Sequence, residues 1–571
     1  MRRARCIPAA GICLLAAGFA AGQNGPDLRD ARDPLYNQGP KQEAVGDSVM
    51  VSTQLPIVTE TALEVLRNGG NAIDAFVTAV FLQNVVDYHQ VSLFGAMGGL
   101  YYDAASGRYH VFEAYSERPL AGRCGEGDPS QVAIGGKVAG LGALADRYGT
   151  REWGEYLEPA ITAADEGVLV TSFMYANNYN SWETGDLIQG NAEARAHYMP
   201  DGHLVPVGHL WKMPAMAKTL RGIAAEGADY LYTGAWGRSF VEKSRAKGYC
   251  VSLEDMGAFE VRWSDPVRST YRGYEVLSES PPKKGGIQIG YNLNILENFD
   301  LASMGHYAAS VDSLEILTRT LGRVETDMRY GVTDPLAFQI PTGVWLSKDY
   351  AKFGAEFVRT TMVVPGVDLT PPTATAALRG PQPVKIARSA DAPPMVDESN
   401  HNVIVDAEGN WITSLHTGHG GAPGIFIDGV RATGSGFPGQ TTGPGRRVSP
   451  NSTGTIVAKD GVPWLSLGSP GVPPQPVTQV LVNIIDFGMT PGEAADAPRF
   501  FAFRGGEQVL AIESRITDEV RSGLKARGIR IQDLGPYNWH TGSMQIVWRD
   551  PDTGRLHGVT DPRRLGLARG Y

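Results

Sequence analysis

"MVDESNHNVIVDAEGNW", Met395 to Trp411, is the stretch whose reading decides the fold. It follows a Pro- and Ala-rich run, 361–397, with no sustained apolar period, which is expected to be a mobile tether. From Val403 onward apolar and polar residues alternate up to a polar Gly turn, the pattern of a strand entering a hairpin. Ser399 therefore stands at the first step of a strand, directly behind a flexible segment. A serine hydroxyl is a poor nucleophile until a base takes its proton. If the bond before Ser399 were cut, the freed α-amine, of pKa roughly 7.7–8.0, would titrate near the pH where a general base works best. The same hydroxyl can make that cut by attacking the preceding carbonyl, giving an ester that water opens. The plainer alternative is a polar strand-entry residue, and the strand pattern taken alone favours it.

Everything after Val403 is strand-rich. "TGTIVAKDG-VPWLSLGS" and "SMQIVWRDPDTGRLHGVT" each read as a hairpin, with one helix, "PVTQVLVNIIDFG", between them. The part before the tether is helix-rich. "TETALEVLRNGGNAIDAFVTAVFLQNVV", 59–86, predicts a helix that stops at Gly69-Gly70 and a second from Asn71 that is apolar nearly all round, hence buried. "GAMGGLYYDAASGRYHVFEAY" predicts two strands and a Gly turn, 138–260 is mainly helical, and strands return at 269–282 before further helices. Residues 23–46 read as a loose lead-in. Two tandem domains would give this layout, and so would one sandwich whose sheets need both halves.

The 571 residues, 42% hydrophobic and 20% charged, are ordinary globular composition, with chain enough for a large core. A net charge of -10 argues against nucleic acid and anionic membranes as partners. Arg2, Arg3 and Arg5, then "IPAAGICLLAAGFAAG", read as a secretory signal, residues 1–22, with Ala20 and Gly22 meeting the small-x-small rule. The run is short for a membrane span, and none follows, so no stable membrane insertion is expected and the mature chain should be periplasmic or extracellular. Cys6 and Cys13 leave with the signal. Cys124 and Cys250 remain, paired or as buried thiols.

No cofactor motif is present: no P-loop and no GxGxxG between strand and helix. HExxH and GxSxG are also missing. His416 and His419 lack a third ligand nearby, so no metal is expected. "NST" at Asn451 is a sequon of the kind that arises by chance.

A set of segments changes the balance. "EVLRNGGNAIDAFVTAV", "GAMGGLYYDAASG", "PPKKGGIQIGYNLNILENFD", "MRYGVTDP", "HNVIVDAEGNWITSL", "GSPG", "FGMTPGEAADAPRF" and "GVTDPRRLGLARGY" together resemble the γ-glutamyltranspeptidases, members of the N-terminal nucleophile hydrolases, from about Val49 to Tyr571. The resemblance implies an α+β fold, a four-layer αββα sandwich formed jointly by a large subunit (23–398) and a small subunit (399–571) cut from one precursor. It implies a small-molecule amide or peptide substrate and no cofactor.

The family has Thr-Thr-His at the new N-terminus. Matching on His401 puts Ser399 at the nucleophile and Asn400 at the second threonine. Serine keeps the hydroxyl but lacks the methyl that fixes χ1. Thr417 matches a threonine that supports the nucleophile. The oxyanion donors would be the backbone N–H groups of Gly471 and Val472. The substrate-reading positions depart further. "AYSERP" puts Tyr115 where the family has the arginine that pairs with the γ-glutamyl carboxylate, and Arg118 lies three residues on. His419 replaces an asparagine, and Pro450-Asn451 replace two serines. An acidic residue expected before Phe437 is not evident. Two readings therefore stand: a self-processing amide hydrolase or acyltransferase with altered specificity, and a non-catalytic, unprocessed relative that binds or scaffolds.

Overall fold

The computed structural model describes residues 39–120, 122–123, 127–180, 182–328, 334–336, 339–363, 399–433, 443–448, 453–470, 474–502 and 509–571. The signal, most of the tether, Cys124, Phe437, Asn451, Gly471 and Val472 lie outside them.

Fourteen strands build two large sheets: β1 Ala44–Gly46, β2 Met50–Thr53, β3 Met97–Asp103, β4 Arg108–Ala114, β5 Arg262–Ser264, β6 Val267–Tyr271, β7 Tyr274–Ser278, β8 Ser399–Val405, β9 Trp411–Thr417, β10 Gly454–Lys459, β11 Val462–Gly468, β12 Gln545–Arg549, β13 Leu556–Thr560 and β14 Leu567–Gly570. The first sheet runs β14-β2-β8-β9-β3-β4-β5 and the second β1-β13-β12-β11-β10-β7-β6. Each mixes strands from before and after the tether. The sandwich with interleaved sheets is the correct reading of the layout, and the tandem of domains is not.

Three apolar clusters fill three interfaces, which makes four layers. Helices α1 (Pro56–Arg67), α2 (Ala72–Val86) and α3 (Lys137–Tyr148), with the helical region that follows, pack on the outer face of the first sheet through Ile404 and Ile412. Val403, Val405 and Trp411 face Ile456 and Val547 between the sheets. Helices α4 (Gly285–Leu296), α5 (Val311–Asp327), α6 (Lys348–Val363) and α7 (Pro474–Ile485) cover the second sheet through Val457, Leu465 and Ile546. The alternation of β8 produces this directly: successive side chains point to opposite faces, so Val403 and Val405 enter one core and Ile404 the other.

Local detail follows the sequence with few exceptions. Asn71 caps α2 in a reciprocal box with Asp74, and every residue of α2 is buried. The lead-in is not wholly loose, because β1 pairs Ala44 with Gly558. The tether starts later than 361, because α6 runs on through Val363. There the Thr361 hydroxyl donates to the Phe357 carbonyl at 2.9 Å, while Ala351, Ala355 and Val358 anchor the buried face. Cys250 is disulfide-bonded.

Candidate active site

β8 and β9 are neighbours at the centre of the first sheet and pair antiparallel from end to end. Ser399 lies directly across from Thr417, and Asn400 across from His416. Ser399 and Thr417 are 3% and 8% exposed, and Asn400 is fully buried. The far end of β9 is held by the Thr417 N–H, which donates to the Ala96 carbonyl at 2.9 Å. Two residues that sequence matching assigned to nucleophile and support thus become cross-strand partners at one sheet end.

The two faces of β8 meet different chemistry. On the face between the sheets, His401 Nε2 lies 2.8 Å from Thr413 Oγ1. Burial pushes the His401 imidazole down to about 3, and the Lys283 charge acts in the same sense, so the ring is neutral. Gly468 makes room for it: a Cβ there would lie 2.5 Å from His401 Nε2. On the helix face, Asn402 and Gln83 exchange two hydrogen bonds of 2.8 and 2.9 Å, and His416 Nε2 meets the same Gln83 Oε1 at 2.8 Å. Gln83 sits inside a helix that is apolar and buried nearly all round, where a buried amide was the available signal of a polar partner.

Tyr115 is buried on the face between the sheets, its ring over Gly98 where no side chain could fit. Its hydroxyl donates to Glu279 Oε2. The other Glu279 oxygen accepts from Lys283 Nζ at 3.0 Å and from the Gly454 N–H at 2.9 Å. Lys283 also lies 4.7 Å from the Tyr115 ring centroid. Sequence reasoning named Tyr115 but missed its partners Glu279 and Lys283. Arg118 does not come to Tyr115; its Nη1 donates to the Val132 carbonyl at 2.8 Å.

His419 follows β9, and its carbonyl accepts from the Ser116 hydroxyl. Burial, with the charges of Arg431 and Lys137, pushes its imidazole down to about 4. Lys137 is itself buried, bonded to Asn84 Oδ1 at 3.1 Å, and held well below the ordinary lysine range by burial and by Arg431. Among the described residues, no three His, Cys, Asp or Glu side chains converge as metal ligands would.

The loop that leads to Gly471 and Val472 is pinned by Ser469. Its hydroxyl accepts from the Ser543 N–H at 3.1 Å and donates to the Pro470 carbonyl at 2.8 Å.

A family model described as Gamma-glutamyltranspeptidase matches residues 58–571. The chain belongs to this family. Among curated relatives, the Acylase ACY 1 proenzyme of Pseudomonas sp. (strain SE83) is 30% identical over 557 residues, covering 91% of this chain and 93% of the relative. The Glutathione hydrolase proenzyme of Escherichia coli (strain K12) is 28% identical, covering 91% and 92%. The crystal structure of cephalosporin acylase from Bacillus halodurans superposes with a TM-score of 0.78 at 23% identity, over 95% of this chain and 99% of that one. At that identity it establishes the shared fold. Membership in the γ-glutamyltranspeptidase family thus rests on a match across nearly all of the described sandwich, the candidate site included.

Proposed function

We propose that this member of the γ-glutamyltranspeptidase family is an exported, self-processing amide hydrolase or acyltransferase with Ser399 as its nucleophile. The observation that carries the reading is the pairing of Ser399 with Thr417 at the first step of a central strand, directly behind residues 364–398. The relatives named as proenzymes point to the same precursor logic.

The chemistry runs in two stages. In the precursor, Ser399 Oγ attacks the Glu398 carbonyl, the C–N bond breaks, and the acyl group passes to oxygen. Water opens that ester, leaving a carboxylate on a large subunit, 23–398, and a free amine on a small subunit, 399–571. In turnover the amine takes the Oγ proton as Oγ attacks an amide carbonyl. The oxyanion is met by the N–H groups of Gly471 and Val472, worth about 3–4 kcal/mol per donor where such donors have been removed. The amine proton passes to the leaving nitrogen, and water or an acceptor amine releases the acyl group. Thr417 steadies the Ser399 hydroxyl, and Asn400 holds the strand start.

Substrate reading is expected to differ from γ-glutamyl recognition. Tyr115 stands where the family arginine is expected and is bonded to Glu279 rather than offered to a substrate carboxylate. His419 and Asn451 complete the proposed lining.

Mass spectrometry of the purified protein tests this. Two fragments, the smaller beginning at Ser399, are expected, and Ser399→Ala should abolish both the cut and turnover. A wild-type chain intact after long incubation would favour the non-catalytic relative instead. A γ-glutamyl anilide assayed beside simple acyl anilides separates the specificities, and a strong preference for the γ-glutamyl compound would refute altered reading.

A further inference from the structure

The start of β8 is braced on one side only by sheet hydrogen bonds. β9 pairs with it as far as Ser399, but β2 stops earlier, its last pair being Thr53 with Asn402. The next residue of the chain after β2 is Gln54, 3% exposed. With its amide oriented as its neighbours require, Gln54 Nε2 donates to Asn400 Oδ1 and to the Ser399 carbonyl at 3.2 Å, and Gln54 Oε1 accepts from Arg564 Nη1 at 3.1 Å. A side chain thus takes over where the strand ladder ends.

Arg564 is fixed in its turn. Nη1 also donates to Gln90 Oε1 at 3.2 Å and Nη2 to the Trp539 carbonyl at 3.4 Å, and the guanidinium lies 4.9 Å from the Trp539 ring centroid. It is 2% exposed. A planar guanidinium presents its donors in a fixed fork, so it holds two amide oxygens in a set orientation, which a freely rotating ammonium does less well.

We propose that Gln54 and Arg564 are positioning residues for the nucleophile: Arg564 orients Gln54, and Gln54 clamps the Ser399 carbonyl and the Asn400 side chain. This rests on Ser399 being the nucleophile. Once the bond before Ser399 is cut, the residue loses its restraint from the preceding chain. Its aim then depends on the β9 ladder and on this clamp. Neither Gln54 nor Arg564 touches the reacting atoms.

The test uses the full chain carrying Gln54→Leu, Arg564→Met, both together, or Arg564→Lys. Self-processing is followed by mass spectrometry, which needs no substrate, and turnover by acyl anilides as probes. Misplacing a reacting group by 1 Å costs about 100-fold in rate, so each single variant should process and turn over about 10–100-fold more slowly. KM should stay within about 3-fold, because the clamp acts on the nucleophile and not on substrate binding. The double variant should be no worse than the poorer single one, because the two residues act as one unit, and Arg564→Lys should recover part of the rate. Near-ultraviolet circular dichroism confirms the fold. If Arg564→Met does not fold, Gln54→Leu, a swap of similar size, carries the test alone.

Wild-type rates in Gln54→Leu would overturn the proposal, as would losses that multiply in the double variant or that fall wholly in KM. Ser399→Ala separates the two levels. If it turns over, the nucleophile is elsewhere; if it is inert while Gln54→Leu is normal, only the clamp falls.

Discussion

Replacing Glu279 by leucine probes the triad beneath the candidate site. Glu279 is fully buried and Lys283 is 1% exposed. The carboxylate accepts from Lys283 Nζ at 3.0 Å, from the Gly454 N–H at 2.9 Å and from the Tyr115 hydroxyl. Glu279→Leu strands all three donors, one of them charged. Breaking a buried ion pair by removing one partner costs about 3–5 kcal/mol. The lysine has one escape, which is to lose its proton. From an ordinary value of 10.5 that costs about 1.4 kcal/mol per pH unit, or about 5 kcal/mol at pH 7. Burial already pulls Lys283 down, and the Glu279 charge opposes that pull. In the variant the opposition is gone.

The sign of the pH dependence follows. With the folded-state pKa of Lys283 depressed further, the unfolded chain binds more protons than the folded one between the two values, so stability rises with pH. Glu279→Leu should therefore lose about 4 kcal/mol at pH 7 and regain about 1.4 kcal/mol for each pH unit up to pH 9. Lys283→Met should cost a similar amount at pH 7, and Glu279→Leu with Lys283→Met less than either alone, because no uncompensated charge remains. Urea titrations at pH 7, 8 and 9 measure this. A Glu279→Leu deficit that is independent of pH, or a double variant as weak as the sum of the singles, would refute the reasoning.

Other outcomes are as definite. Gly468→Ala puts a Cβ 2.5 Å from His401 Nε2, so it should cost about 1–3 kcal/mol and slow self-processing, read by thermal melting and mass spectrometry. Glu113 is buried among Glu117, Asp334, Arg262 and Arg447; burial raises its carboxyl to about 7, and the two arginines oppose the rise. A raised folded value gives stability below pH 4.5 that is lost as pH rises towards 7, about 3 kcal/mol at most. Glu113→Gln should flatten that slope in melting curves from pH 4.5 to 8. Residues 399–571 expressed alone should not fold, since β8 and β9 lie between β2 and β3; a cooperative near-ultraviolet melt of that piece would contradict the interleaved sheets.

The elements were legible where a single periodicity decides. The apolar residues from Val403 up to a polar Gly turn announce a strand, and Asn71 before an apolar run announces α2. The partner strands were not legible, because hydrophobic alternation names a face without naming its neighbour. That is why tandem domains and an interleaved sandwich looked alike until β2 and β3 were seen on either side of the β8–β9 pair.

The same distinction divides the candidate site. Ser399, Asn400 and Thr417 were named because they match family positions, and they share one hairpin whose register sets Ser399 across from Thr417. The Gln54–Asn400–Arg564 contact joins three segments whose separations carry no local pattern, and the Tyr115–Glu279–Lys283 triad joins strand ends from two sheets. Each of these polar residues looks ordinary in its own segment. Only burial gives it meaning, because a buried amide or charge must find a partner and the partner is wherever the sheets bring it. A charged or amide residue at a position that the surrounding period assigns to the interior, such as Gln83 in α2, is therefore the sequence signal to follow. It marks that a polar contact exists, and the topology supplies with whom.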